Sequence, residues 1–285
     1  MSATKELFNA IASRDDASEG ASGGGGVEAI RAMLADNPVL ATTANEQGIS
    51  PVMFALYCQK REVATLFLEA GAVPGIFEIV ALGELEDLTS RLDADADSGG
   101  GSGGGRGYAK HAPDSEGGDT PTSGGDTEAA DEPVKRSLSR PYSQPPTDSG
   151  STNPLTARSP DGFTLLHLAC FFGHLSCAKL LIERGAEVNI AAENESRVYP
   201  IHSAAACDSA EIVTLLLGAG AEADAKQQKD FTALMSAAMH NNLDMARALL
   251  KAGANPSQES EDDRTPISMA QEAGHGEMVE MLKKA

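Results

Sequence analysis

The chain has 285 residues, enough for one or two domains. Its formal charge of −20, spread as −9, −4 and −7 over residues 1–95, 96–157 and 158–285, repels phosphate backbones and anionic lipid, so neither nucleic acid nor membrane is an expected partner. No apolar run approaches the ~18 residues of a membrane helix, and the four scattered cysteines, Cys58, Cys170, Cys177 and Cys207, form no disulfide framework, so a reducing cytoplasmic or nuclear setting is expected.

In chain order, residues 7–36 predict two helices, "LFNAIASRD" and "VEAIRAMLAD". The Gly-rich insertion 16–26 falls in the turn between them, where added length costs little. Residues 48–74, "GISPVMFALYCQKREVATLFLEAGAVP", predict a second pair entered through Ser50 and Pro51, a capping residue and a residue suited to the first helical position. Residues 76–95 predict a third pair with no leading segment, which completes an N-terminal block over 1–95.

Residues 97–152 are rich in Gly, Ser, Asp, Thr and Pro and almost lack branched aliphatics, a composition that predicts a disordered insertion. Within it, "KRSLSRPYSQPP" (135–146) sets Arg136, Ser137, Ser139 and Pro141 in an order similar to the phosphoserine motif read by 14-3-3 adaptors. Ser139 is the candidate phosphosite.

From 158 to 285 the chain repeats itself. Thr164, Tyr199, Thr232 and Thr265 stand 35, 33 and 33 residues apart, and each opens the same grammar: a small-residue helix, a polar turn and a Leu-rich helix. The helix openings read "TLLHLA", "YPIHSA", "TALMSA" and "TPISMA". Gly185, Gly220 and Gly253 stop the second helices. These four units resemble the ankyrin repeat, whose units open on Thr-Pro-Leu-His-x-Ala. Ser50 and the shorter N-terminal pairs fit as degenerate copies, giving seven helix pairs. The expected fold class is all-α: an ankyrin solenoid of stacked helix pairs with short finger loops, interrupted by a long disordered insertion. Ala169, Ala204, Ala237 and Ala270 let first helices stack closely, and Leu180, Leu181, Leu215 and Leu216 bury between units.

Chemistry is sparse. "HLACFFGHLSC" (167–177) offers His167, Cys170, His174 and Cys177 at spacings a zinc site could use. Each also has an ordinary repeat explanation. His167 fills the family's histidine slot, as His202 does one unit later, and His174 follows a turn glycine, as His275 does. Cys170 aligns with Ala205 and Ala238, and Cys177 with Ile212, Met245 and Met278. No metal, no cofactor and no catalytic residues are therefore expected; a ligand- or metal-responsive regulator built on residues 167–177 is the competing reading.

The resemblance implies a scaffold, adaptor or inhibitor that binds proteins through finger loops and the inner face of the first helices. Carried onto this chain, that surface comprises Ile49, Phe163, Val198, Phe231 and Arg264 in the fingers, with Tyr57, Phe171, Phe172, Met239 and His240 at the first-helix ends. Three of the eight phenylalanines lie in one unit of a chain without tryptophan. An apolar strip with an acidic rim points to a partner with a basic or apolar docking surface.

Overall fold

A computed structural model describes residues 2–13, 25–98 and 153–285. Among the described residues every regular element is helical. The helices are α1 (Ala3–Ala12), α2 (Gly25–Asp36), α3 (Pro51–Tyr57), α4 (Arg61–Glu69), α5 (Ile76–Leu82), α6 (Leu85–Ser98), α7 (Leu165–Phe171), α8 (Leu175–Glu183), α9 (Pro200–Ala206), α10 (Ala210–Gly218), α11 (Ala233–His240), α12 (Leu243–Lys251), α13 (Pro266–Glu272) and α14 (Gly276–Leu282). They form seven antiparallel pairs. The first helices contact one another in the order α1, α3, α5, α7, α9, α11, α13.

The caps follow from the sequence. Ser50 Oγ accepts from the Met53 N–H at 3.1 Å, and Pro51, which has no N–H to lose, takes the first helical position. Thr265 Oγ1 accepts from the Ser268 N–H at 3.1 Å in the same way. Ala169, Ala204, Ala237 and Ala270 are fully buried where first helices touch. Leu181 and Leu216 are fully buried between units, whereas Leu180 and Leu215 are only partly covered, because one helical residue turns them about 100° from the buried stripe.

Between pairs the chain extends into fingers. In the finger 45–49 the Asn45 N–H donates to the Ile49 carbonyl at 3.0 Å; Ser159 to Phe163 and Ser260 to Arg264 repeat the bond at 2.8 and 2.9 Å. Fingers are joined by the Glu193 N–H to the Gly162 carbonyl, Gln228 to Ser196 and Glu261 to Lys229, at 2.9 to 3.0 Å. No finger precedes α5, because only four residues separate the C-cap of α4 at Ala70 from the N-cap of α5 at Gly75. The fingers on either side close over this gap, with Pro160 packed beside Gly48.

Helix bounds differ from expectation at three places. Helix α1 starts at Ala3, where Ser2 Oγ accepts from the Lys5 N–H, and α2 begins at Gly25, inside the expected insertion 16–26. Helix α6 runs to Ser98, past the expected end of the N-terminal block at 95 and into the expected insertion 97–152. The remainder of both insertions, with Ser139, lies outside the described residues.

Helix pairs on the two sides of residues 99–152 nevertheless touch. His174 Nε2–H donates to the Ala81 carbonyl at 2.9 Å, and Arg184 pairs with Asp93 at 2.7 Å. Replacing residues 99–152 by a short Gly-Ser linker is therefore expected to leave the helical circular dichroism and the melting temperature almost unchanged; loss of cooperativity would show that the segment contributes to packing.

Candidate functional site

The inner ends of α3, α7, α9 and α11, with the fingers above them, enclose an open groove of about 610 Å³. Phe54 and Tyr57 wall one end, Phe231, Met239 and His240 the other, and Ala205, Ala206, Ser203 and Ser236 form a floor of small side chains. Phe163 and Phe171 stand between the ends. Phe171 and Met239 are 44% and 42% exposed, unusual for large apolar side chains in an ordered helix.

The groove wall at Tyr57 depends on the missing finger before α5. Tyr57 reaches over α5 and stacks on Phe172 with ring centroids 5.8 Å apart. Its Oη–H donates to Asp161 Oδ2 at 2.5 Å, and the Ser159 hydroxyl donates to Asp161 Oδ1. Burial, then the Asp161 charge and the hydrogen bond to it, push the Tyr57 phenol well above its ordinary pKa, so Oη keeps its proton and stays a donor.

Two histidines beneath the groove bolt units together. The Thr164 N–H donates to His167 Nδ1 at 3.3 Å, and His167 Nε2 lies 2.8 Å from the Val198 carbonyl of the next finger. A backbone N–H can only donate and a carbonyl can only accept, so Nδ1 is bare and Nε2 carries the proton. His202 repeats the arrangement with the Tyr199 N–H at 3.2 Å and the Ala225 carbonyl at 2.9 Å. Burial pushes both rings down to about 4.

The turn histidines link backwards, His174 to Ala81 and His275 Nε2 to the Met239 carbonyl at 3.1 Å. Cys170 and Cys177 are buried in the core, where loss of hydration raises both thiols above their ordinary pKa. The nitrogens and thiols of residues 167–177 are thus engaged in separate packing contacts, and among the described residues no cluster of three or more His, Cys, Asp or Glu is arranged to hold a metal.

Models of the ankyrin repeat match residues 161–193 and, as three copies, residues 201–285. Residues 161–285 are ankyrin repeats. A stretch of 61 residues is 41% identical to BCL-6 corepressor-like protein 1 of Homo sapiens, covering 21% of this chain and 3% of that protein. The chain thus spans a very small part of the length of that relative. Ankyrin repeats serve as protein-interaction modules. No described helix is long and apolar enough to cross a membrane.

Of the residues singled out in the ankyrin fingers and helix ends, the groove collects Ile49, Tyr57, Phe163, Phe171, Val198, Phe231, Met239 and His240. Phe172 and Arg264 fall outside it. Phe172 packs edge-on against Phe171, with ring centroids 5.2 Å apart, and stacks on Tyr57, because consecutive residues at a helix end cannot face the same way. Arg264 pairs with Glu272 at 2.6 Å and lines a smaller cleft shared with Gln228 and Asp262. Phe54 and Asp161 line the groove without having been singled out. Phe54 reads in sequence as a core residue of α3, and Asp161 reads as a finger-tip turn.

Proposed function

We propose that this chain is a non-catalytic interaction module, a scaffold, adaptor or inhibitor, that grips a partner protein in the groove between its fingers and first helices. The supporting observation is the pairing of exposed Phe171 and Met239 across a floor of small side chains. Such a floor admits a partner's side chains, and aromatic walls supply large contact area at low entropic cost. The three N-terminal helix pairs act in this reading as further repeats of the same array, since Ile49, Phe54 and Tyr57 complete the groove. The partner carries a basic or apolar docking surface, and the working compartment is the cytoplasm or nucleus. The corepressor-like relative fits an assembly role without fixing the partner.

The test is co-precipitation from native extract with wild type and a Phe171→Ala, Met239→Ala double variant. Both side chains are exposed, so the variant is expected to melt like wild type. Truncating a desolvated aromatic anchor costs about 2 kcal/mol or more, roughly a 30-fold loss of affinity. Proteins captured by wild type and lost with the variant are the expected result. Equal capture by both would move the binding surface elsewhere. Stoichiometric zinc in the purified chain, lost on Cys170→Ala, would favour the metal-responsive reading instead.

A further inference from the structure

The groove is lined mainly by apolar side chains, with neutral polar groups at Ser203, Ser236 and Gln227 and one carboxylate. Asp161 is its one carboxylate among the described lining residues, and no Lys or Arg lines it. Among the described residues none of the ion pairs involves Asp161. The carboxylate is nevertheless held in place: Tyr57 Oη donates to one oxygen, the Ser159 hydroxyl to the other, and Asn194 Nδ2 donates to the Asp161 backbone carbonyl at 3.0 Å. A carboxylate has about four lone-pair sites, so two hydrogen bonds leave acceptor capacity free. An oriented charge beside Phe171 and Phe163 loses little on meeting a cation and gains more than it would in open water.

We propose that Asp161 is the specificity-determining residue of the groove and that the groove takes a partner segment in which a lysine or arginine, seated on Asp161, is flanked by apolar side chains seated against Phe171 and Met239. This rests on the reading of the groove as the partner site. The favoured occupant is cationic because of charge complementarity: the groove's one formal charge is negative, and a chain with a net charge of −20 attracts basic segments over longer range. The cation fixes register, as charged groups in interfaces do, while the apolar contacts carry most of the affinity.

The experiment selects a displayed library of random 12-residue peptides on the full chain. Three forms are used: wild type, Asp161→Asn, and Phe171→Ala with Met239→Ala. Asn keeps an acceptor for the Tyr57 hydroxyl, turns its amide N–H to the Ser159 hydroxyl, which can accept, and removes the charge; matching circular dichroism and melting curves confirm that each form is folded. Wild type is expected to enrich peptides with Lys or Arg beside Leu, Phe or similar residues. Asp161→Asn should keep the apolar preference and lose the basic one. The best wild-type peptide, measured by fluorescence polarisation, should bind Asp161→Asn at least tenfold more weakly, and a version with Met in place of its cation should bind both forms alike.

A basic preference that survives Asp161→Asn, or apolar peptides without a cation from wild type, would overturn the role of Asp161 while leaving the groove as the site. Peptides that bind the Phe171→Ala, Met239→Ala form as tightly as wild type, or no enrichment by wild type at all, would overturn the groove reading itself.

Discussion

Acidification from pH 7 to pH 4.5 is expected to remove about 5 kcal/mol of stability through two imidazoles alone. His167 and His202 are buried, and burial holds them down to about 4, against 6.5 for an exposed histidine. Well above pH 6.5 both rings are neutral folded and unfolded, so their contribution is fully present. As pH falls from 6.5 towards 4 the unfolded chain takes up protons that the folded chain refuses, and stability is lost at about 1.4 kcal/mol per pH unit for each ring. Below 4 both states are protonated and the loss stops. A second proton on either ring would also set an Nδ1–H against the backbone N–H of Thr164 or Tyr199. Relief of repulsion among the chain's acidic groups acts in the opposite direction, so denaturant unfolding should be read together with imidazole nitrogen spectra. Both rings should remain neutral, with the proton on Nε2, at pH 5. A midpoint near 6.5 for either would show that it is not held as described.

Gly162→Ala is expected to cost about 3 kcal/mol and to loosen the finger that carries Asp161 and Phe163. Gly162 has φ +85°, and a Cβ there would collide with the Glu193 carbonyl oxygen and stand 2.7 Å from its carbon. Those atoms are backbone and cannot rotate aside. The finger would have to shift, weakening the bond from the Glu193 N–H to the Gly162 carbonyl and the contact of Arg158 Nη1 with the same oxygen at 3.2 Å. Left-handed backbone adds about 1 kcal/mol for a residue with a side chain. Gly185→Ala separates the two contributions: its φ is +91°, but a Cβ there meets nothing within 4 Å. It should cost only about 1 kcal/mol. Urea unfolding of both variants gives the comparison, and equal losses would mean the finger contact adds nothing.

The repeat architecture was legible because each device is local. Thr164 and Thr265 cap, Pro51 and Pro266 start helices, and Gly185, Gly220 and Gly253 end them with φ +91°, +92° and +93°. Eight of the ten residues that the ankyrin resemblance marked line the groove. What the register does not encode is contact between units that are not adjacent in the series. Tyr57 and Phe172 belong to pairs separated by α5 and α6, and their stacking decides that Phe171, not Phe172, faces the groove. The same contact makes Asp161 part of the wall. The extension of α6 to Ser98 was hidden for another reason: its last turns read "DADADS", and acidic residues near a helix C-terminus oppose the helix dipole, so composition there resembles linker.

The stretch from Gly71 to Gly75 brings together two fingers that would otherwise stand a full unit apart. Among the described residues α3, α7, α9, α11 and α13 each follow a finger, whereas α5 follows none. The approach of Pro160 to Gly48 is therefore set by the short connection before α5 and does not hang on any one hydrogen bond. Cutting the Tyr57 to Asp161 bond would leave the two fingers together. Grafting a five-residue finger between Ala72 and Gly75 would part Gly48 from Pro160 and separate the Ile49 end of the groove from the Phe163 end.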